Sequence, residues 1–162
     1  MRLQGKTALV TGATSGIGAE TARCFAREGA NVILSGRSGS RGVAVRAELE
    51  GSDHSFIAAE LGTADAAEEL ARRALELFGH VDILVNSAGV VYHKTVPETT
   101  NEQWESTLAI NISTVFYLSR ALVTGMLERG RGAIINVAST WGLVGAEQTA
   151  AYCASKGAVV QL

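Results

Sequence analysis

The sequence of 162 residues predicts a single α/β domain, in which helices cover both faces of a parallel β-sheet. Short apolar segments alternate along the chain with longer segments whose apolar residues recur at helical spacing. A glycine-rich turn joins the first apolar segment to the first helical one, and the 18 glycines with a single proline suit many short connections. Right-handed crossovers between parallel strands would then place helices on both faces of the sheet.

The predicted strands are short, mainly apolar segments, as expected for the buried strands of a parallel sheet. They lie at residues 6–10, 31–35, 54–58, 81–85 and 133–137. The first helix follows the glycine-rich turn and carries Ala19, Ala22, Phe25 and Ala26. Further helices are predicted at about residues 42–50, 64–78 and 102–128, and from residue 150 onward. Because no linker or internal repeat interrupts this order, residues 1–162 are expected to form one domain.

Composition and charge narrow the range of partners. A formal net charge of −2 gives no electrostatic reason to expect nucleic acid or an anionic membrane. No uninterrupted apolar run is long enough to span a bilayer, and the first strand begins too close to residue 1 to leave room for a signal peptide. Two cysteines do not make a disulfide framework, and the three histidines lack the spacing of metal ligands. We therefore expect a cytoplasmic protein without a metal site.

The glycine-rich turn after the first strand has the setting of a nucleotide-binding site. Gly12, Gly16 and Gly18 stand between a strand and a helix, with Ser15 and Ile17 among them. Glycines let the backbone approach a pyrophosphate closely, and the free amides at a helix N-terminus favour an anion. The alternative is a turn that serves only to pack the strand tightly against the helix. The flanking strand and helix favour a dinucleotide site.

Near the other end of the chain, Tyr152 and Lys156 are four residues apart in a predicted helix, so their side chains share a face. An ammonium group beside a phenol favours the phenolate, which makes a tyrosine usable as a proton donor and acceptor near neutral pH. Ser139 lies thirteen residues before Tyr152. This spacing of tyrosine and lysine also occurs by chance on helix surfaces. The pair therefore indicates a catalytic site only together with the other motifs of the sequence.

Taken together, these features resemble the short-chain dehydrogenase/reductase family. The resemblance covers the whole chain and rests on the spacing Gly12-x-x-x-Gly16-x-Gly18, the run Asn86-Ser87-Ala88-Gly89, Asn111, Ser139, and the run YCASK that contains Tyr152 and Lys156. It implies a doubly wound, Rossmann-like fold that binds NAD(H) or NADP(H) and acts on a small carbonyl compound or alcohol. Within the family, the chain looks similar to 3-oxoacyl-carrier-protein reductases and to sugar or polyol dehydrogenases.

The resemblance assigns catalytic roles to four residues. Tyr152 would protonate the carbonyl oxygen during reduction or accept the proton during oxidation, and Lys156 would favour the phenolate and bind the nicotinamide ribose. Ser139 would donate a hydrogen bond to the substrate oxygen. Asn111 would hold a water that connects Lys156 to solvent. Two alternatives stay open: Ser139 as a helix cap or turn residue, and Asn111 as a polar residue that bends its helix.

The choice of cofactor is argued from the end of the second strand. An NAD site usually places a carboxylate there, whereas this chain has Ser35-Gly36-Arg37-Ser38. No acidic group is present to repel a 2′-phosphate, and Arg37 could pair with it through two hydrogen bonds. The alternative is a solvated surface arginine. NADP(H) is therefore favoured, while NAD(H) stays open.

Two further segments match the family with changes. Glu60 and Leu61 stand where the family usually has an aspartate that reaches the adenine, followed by an apolar residue. The longer Glu60 side chain would either take the same role or face solvent. In the run after the fourth strand, Asn86, Ala88 and Gly89 match the family, and its small residues would let the adenine side of the cofactor lie close to the strand end.

Members of the family usually continue well beyond the position that corresponds to Leu162. We therefore expect the C-terminal part of the usual fold to be missing from this chain, which would leave strand 133–137 as an exposed apolar edge. In its full-length form the protein is expected to be a homo-oligomer, a dimer or tetramer. Two alternatives to an enzyme remain: a non-catalytic nucleotide-binding or interaction module, and a chain that does not fold independently.

Overall fold

The computed structural model of the protein describes residues 1–51 and 53–162. Its strands are β1 (Thr7–Val10), β2 (Asn31–Gly36), β3 (His54–Ala58), β4 (Ile83–Asn86) and β5 (Ala133–Asn136). They form one sheet in the order β3-β2-β1-β4-β5, and every pair of neighbours is parallel. This confirms the predicted parallel α/β sheet of the Rossmann type, in which β1 at the centre is followed by β2 on one side and β4 on the other.

The helices are α1 (Gly16–Arg27), α2 (Gly39–Ala47), α3 (Ala64–Phe78), α4 (Asn101–Leu108), α5 (Thr114–Glu128) and α6 (Ala150–Gln161). Helix α2 departs from the prediction, which placed it at residues 42–50. It begins earlier because Ser38 caps its first turn, where the Ser38 hydroxyl oxygen accepts a hydrogen bond from the amide of Arg41. The long segment between β4 and α4 contains one short 3₁₀ turn, Val96–Glu98.

Side chains of β1 alternate between two apolar cores, one on each face of the sheet. Ala8 and Val10 pack with Ala22 of α1 and Val45 of α2, whereas Leu9 belongs to the opposite core. That second core is completed mainly by α3 and α5 with Ala67, Leu70, Ala71, Leu118 and Leu122. Helices therefore cover both faces of the sheet, as the alternation of strands and helices predicted.

The helix predicted at residues 102–128 is interrupted in the structure. A π-helical turn, Ala109–Ser113, separates α4 from α5 without ending the helical path. Within it, the fully buried Asn111 turns its side-chain amide out of the helix toward the loop after β4. The Thr114 hydroxyl donates to the carbonyl of Ala109, five residues earlier. The widened turn is thus tied to a tertiary contact, as is common for π-bulges at functional sites.

The helical segment Asn101–Glu128 has the length and composition of a membrane span, with a mean hydropathy of 1.3 in its most apolar window. It is the one such helix among the residues that the structure describes. The prediction that no segment is long enough, made from uninterrupted apolar runs, is therefore wrong for this helix. A core helix of a soluble protein passes the same test, and Leu118, Leu122 and Met126 pack into the core beside the sheet.

Strand β5 forms an exposed edge of the sheet. In the described part of the chain it pairs with β4 alone, and Ile135 at its middle is 45% exposed. Leu143 and Val144, a few residues beyond it, are also largely exposed. The predicted apolar edge at residues 133–137 is therefore present in the structure.

At the opposite edge of the sheet, a buried histidine stabilises the start of β3. The Nδ1 atom of His54 accepts a hydrogen bond from the amide of Val32 at 3.1 Å, and Nε2 lies 2.7 Å from the carbonyl of Glu50. Because a carbonyl can only accept, Nε2 carries the proton and Nδ1 is the acceptor. The neutral ring thus satisfies two backbone groups.

Replacing His54 by alanine is expected to lower the free energy of unfolding by about 1–3 kcal/mol, since it leaves the buried Val32 amide and the part-buried Glu50 carbonyl without their side-chain partner. Urea denaturation followed by circular dichroism measures this. His93→Ala provides the control, because it deletes the same imidazole group at an exposed position. Equal stability of the two variants would contradict the structural role of His54.

Candidate functional site

A cleft of about 380 Å³ lies at the carboxyl ends of the strands. In open α/β sheets ligands bind at this edge, where the order of the strands reverses between β1 and β4. Of the residues predicted for the site, those that line the cleft are Gly12, Ser15, Ile17, Gly18, Arg37, Leu61, Ala88, Gly89, Tyr152 and Lys156. Those that do not line it are Gly16, Glu60, Asn86, Asn111 and Ser139. The structure thus brings residues from both ends of the sequence to one cleft.

The glycine-rich turn is pressed against the loop that follows β4. At Gly12 the backbone has φ 63°, and a Cβ atom there would lie 2.8 Å from the backbone nitrogen of Ala88. At Gly18 a Cβ atom would lie 2.5 Å from the carbonyl oxygen of Gly12. Both positions therefore require glycine for reasons of space, and Gly12 also requires it for its left-handed backbone. Gly16 has φ 53° with open space around it, so it serves the turn rather than a close approach.

Thr11 joins the same two loops through its side chain, and the sequence analysis missed it. Its buried hydroxyl oxygen accepts hydrogen bonds from the amides of Ser87 at 3.1 Å and Ala88 at 3.2 Å. The hydroxyl group donates to the carbonyl of Val85 at 3.3 Å. The position of this threonine, between a buried strand and the first glycine of the turn, was the one hint in the sequence of such a role. Its hydrogen-bond partners lie far away in the sequence.

The turn fits the pyrophosphate of a dinucleotide. Ser15 is the N-cap of α1, yet its side chain makes no capping hydrogen bond, so it leaves the first amides of the helix free. Ile17 and Gly18 of this first turn line the cleft. Gly12 and Gly18 carry no side chain that would fill it. Unpaired amides at a helix N-terminus, close to a surface without side chains, are what a phosphate group requires.

At the end of β2, Arg37 lines the cleft as predicted and its side chain is exposed. Gly36 before it packs on Thr14, where an added Cβ atom would lie 2.6 Å from the Thr14 methyl group. Beyond the neighbouring strand β3, the buried Leu61 contributes to the wall of the cleft, while Glu60 is exposed and outside the lining. For Glu60 the structure therefore agrees with the alternative that its side chain faces solvent.

Tyr152 and Lys156 lie together on α6 at the other end of the cleft. The Lys156 Nζ atom is 5.7 Å from the centroid of the Tyr152 ring and donates a hydrogen bond to the carbonyl of Val137 at 2.6 Å. Lys156 is only 5% exposed, and this burial lowers the pKa of its ammonium group below the ordinary value. The predicted pair on one helix face is therefore present, with the ammonium group beside the phenol ring.

Ser139 begins a short 3₁₀ turn, Thr140–Gly142, directly after β5. Its hydroxyl oxygen accepts a hydrogen bond from the amide of Trp141 at 3.2 Å, so it caps this turn. The Trp141 ring meets the Tyr152 ring edge-on at 6.0 Å between centroids. A Cβ atom on Gly142 would lie 2.5 Å from the Lys156 carbonyl, so glycine lets the turn pack directly on α6. The Ser139 turn is thereby held against the Tyr152 helix.

The amide group of Asn111 connects three parts of the site. Its Oδ1 atom accepts from the amide of Val90 at 2.8 Å, and Nδ2 donates to the Val90 carbonyl at 2.9 Å. Nδ2 also donates to the Ser155 hydroxyl at 3.0 Å, and that hydroxyl donates to the Tyr152 carbonyl at 2.8 Å. The side chain therefore fixes the loop after β4 to α6, and the predicted water relay stays a prediction.

Asn86 lies next to the cleft rather than in its wall. The residue is buried at the end of β4, and its Nδ2 atom donates to the Oδ1 atom of Asn136 on β5 at 2.9 Å. It therefore connects neighbouring strands beneath the loop that contains Ala88 and Gly89. Its expected contact with the cofactor stays a prediction.

Known proteins resemble the chain over nearly its full length. The family model described as short chain dehydrogenase matches residues 6–162. The chain is 40% identical over 162 residues to D-beta-hydroxybutyrate dehydrogenase of Cupriavidus necator, covering 98% of this chain and 62% of that protein. It is 43% identical over 161 residues to D-threitol dehydrogenase of Mycolicibacterium smegmatis, covering 98% and 62%. The chain thus spans less than two thirds of the length of these relatives.

A solved structure of a metagenomic short-chain oxidoreductase in complex with NADP superposes on the chain with a TM-score of 0.92. The two sequences are 34% identical, and the match covers 99% of this chain and 74% of the other. The likeness therefore extends over all elements from β1 to α6.

Proposed function

The chain belongs to the short-chain dehydrogenase/reductase family, and from this membership we propose that the protein is an oxidoreductase that uses NADP(H) to interconvert a carbonyl compound and a secondary alcohol. One observation carries the proposal: a glycine-rich turn suited to a pyrophosphate and the Tyr152–Lys156 pair line the same cleft. A bound nicotinamide cofactor would supply the hydride. The protein would supply placement and proton transfer.

The cleft residues divide into those that would hold the two ends of the cofactor. The free amides of the first α1 turn, beside Gly12 and Gly18, would hold the pyrophosphate. Arg37 would pair with the 2′-phosphate, and Lys156 would bind the nicotinamide ribose. The short side chains of the loop after β4 would leave room for the adenine side.

Tyr152 would carry the proton that the substrate oxygen gains in reduction and loses in oxidation. The Lys156 Nζ atom lies 5.7 Å from the centroid of the Tyr152 ring, so a cation stands beside the group that would transfer the proton. The Ser139 oxygen accepts from a backbone amide, which leaves its hydroxyl hydrogen to donate to the substrate oxygen. We retain Asn111 as the residue that holds a relay water, because it lies one hydrogen bond from Ser155 on the same helix as Lys156.

Consumption of NADPH with a panel of carbonyl compounds tests this function. The named relatives act on hydroxybutyrate and on threitol, so the panel combines 3-oxoacyl compounds with small keto sugars. Turnover of at least one compound would support the enzyme. Saturable NADPH binding without turnover of any compound would instead support a nucleotide-binding module.

Replacing Arg37 by aspartate is expected to lower the ratio of kcat/KM for NADPH over that for NADH by at least about tenfold. The change removes a charged hydrogen-bond donor and brings a carboxylate toward the 2′-phosphate. Steady-state kinetics with both cofactors measures the ratio. Arg73→Asp, on the exposed face of α3, controls for the change in net charge. An Arg37→Asp ratio equal to that of the control would remove the basis for preferring NADP(H).

We also propose that the protein forms a homo-oligomer through α5 and α6. A shallow apolar face there includes Ile112, Tyr117 and Leu162, and Phe116 within it is 45% exposed. Sedimentation as a monomer at all concentrations would contradict this.

A cytoplasmic location stays a prediction, which cell fractionation would test.

A further inference from the structure

Arg41 lines the same cleft as Arg37. Only Arg37 and Ser38 separate the end of β2 from the start of α2, so both arginines stand at one corner of the cleft. The Ser38 hydroxyl oxygen accepts the Arg41 amide at 3.4 Å, which fixes the backbone from which the Arg41 side chain extends.

In the part of the chain that the structure describes, neither guanidinium group has an acidic partner. No ion pair of the described residues includes Arg37 or Arg41, as is also true of Arg27, Arg46, Arg73 and Arg129, but only Arg37 and Arg41 of these line the cleft. The described residues that line the cleft include Arg37, Arg41 and Lys156 but no aspartate or glutamate. Two exposed cations without a counter-charge at one corner of a cleft are suited to an anion.

The charge of the expected anion calls for more than one arginine. A phosphate monoester carries about −1.5 to −2 charges at pH 7 and offers three acceptor oxygens. One guanidinium group neutralises a single charge and satisfies two of these oxygens in a bidentate contact. A second arginine would neutralise the remaining charge and reach the third oxygen.

The last residue of β2, Gly36, has no side chain that could distinguish the 2′-phosphate of NADP(H) from the 2′-hydroxyl of NAD(H). At Gly36 an added Cβ atom would meet the Thr14 methyl group at 2.6 Å, so the position before Arg37 stays without a side chain. Of the residues that follow β2, Arg37 and Arg41 carry a charge and line the cleft.

We propose that Arg41 is a second determinant of cofactor choice, which binds the 2′-phosphate of NADP(H) together with Arg37. The inference rests on the proposed use of a nicotinamide cofactor by this cleft. It adds a residue from α2 to the phosphate site, and it attributes the preference to two charges rather than one.

The test measures nucleotide binding, so it does not depend on turnover. Arg41→Gln, Arg37→Gln and the double variant are titrated by calorimetry with adenosine 2′,5′-bisphosphate and with adenosine 5′-monophosphate, which differ only in the 2′-phosphate. Arg41→Gln is expected to raise the Kd of the bisphosphate about tenfold and to change that of the monophosphate less than about twofold. Arg73→Gln, outside the cleft, is expected to change neither.

Arg41→Lys separates charge from geometry, because lysine keeps the charge but loses the bidentate contact. Its Kd for the bisphosphate is expected to lie between those of the unchanged protein and Arg41→Gln. Thermal unfolding of each variant accompanies the titrations, since a purely structural role in α2 would lower the melting temperature and weaken both nucleotides together.

Three results would overturn the inference. An equal loss of affinity for both nucleotides in Arg41→Gln would assign Arg41 a structural role. No change in Arg41→Gln, with a selective loss in Arg37→Gln, would leave the preference to Arg37 alone and keep the proposed function. If the unchanged protein bound neither NADP⁺ nor NAD⁺, the proposed function would fail and the inference with it.

Discussion

Replacing Tyr152 by phenylalanine is expected to lower kcat about 10²- to 10⁴-fold, because it removes the group that would exchange a proton with the substrate oxygen. The phenylalanine ring keeps the edge-on contact with Trp141 and the position above the Lys156 ammonium group. The fold and the affinity for NADPH should therefore change little. A large loss of kcat with an unchanged Kd for NADPH would place the tyrosine hydroxyl in the chemical step.

The measurement combines single-turnover kinetics with fluorescence titration of NADPH. Tyr117→Phe is the matched control, since Tyr117 lies on α5 outside the cleft and loses the same hydroxyl group. Turnover in Tyr152→Phe equal to that in Tyr117→Phe would remove the phenol from the mechanism. A parallel loss of NADPH binding would instead show that the hydroxyl acts mainly in holding the cofactor.

Replacing Gly12 by alanine is expected to weaken NADPH binding at least about tenfold and to lower the free energy of unfolding by about 2–4 kcal/mol. The left-handed backbone contributes about 1–2 kcal/mol of this for any residue with a Cβ atom. The remainder comes from the contact with Ala88, whose backbone nitrogen would lie 2.8 Å from the new methyl group. Since that neighbour is backbone, the loop after β4 must move away from the turn.

Gly130→Ala isolates the backbone contribution. Gly130 has φ 64°, nearly the same as Gly12, but a Cβ atom there has no neighbour within 4 Å. Urea denaturation and NADPH titration of both variants then separate strain from crowding. If the two substitutions destabilised the protein equally and left NADPH binding intact, the close approach at Gly12 would have no role in the site.

Features that depend on nearby residues were the ones that the sequence predicted well. The strands are short apolar segments, and their alternation with helices gave the parallel sheet that the structure has. Gly12 and Gly18 were recognised because their spacing lies within one turn. The tyrosine and lysine of α6 were recognised because helix geometry alone places them on one face.

Features that depend on distant residues were missed. The partners of the Thr11 hydroxyl lie 74 to 77 residues later, so no local pattern identifies them. The π-helical turn at Asn111 depends on Val90, 21 residues earlier, and the segment around it has an ordinary helical periodicity. Arg41 lies just before the predicted start of α2, whereas the Ser38 cap begins the helix before it.

The Asn111 amide has a consequence for how this site can diversify. It fixes the loop that would hold the nucleotide to the helix that carries Tyr152, through one buried side chain. The neighbouring segment at residues 91–98 is exposed throughout, and its Lys94 amide donates to the Gln148 carbonyl at 2.6 Å, just before α6. Substitutions of exposed side chains there can therefore change which compounds enter the cleft, while the Asn111 amide and the Lys94 backbone keep the loop and α6 together.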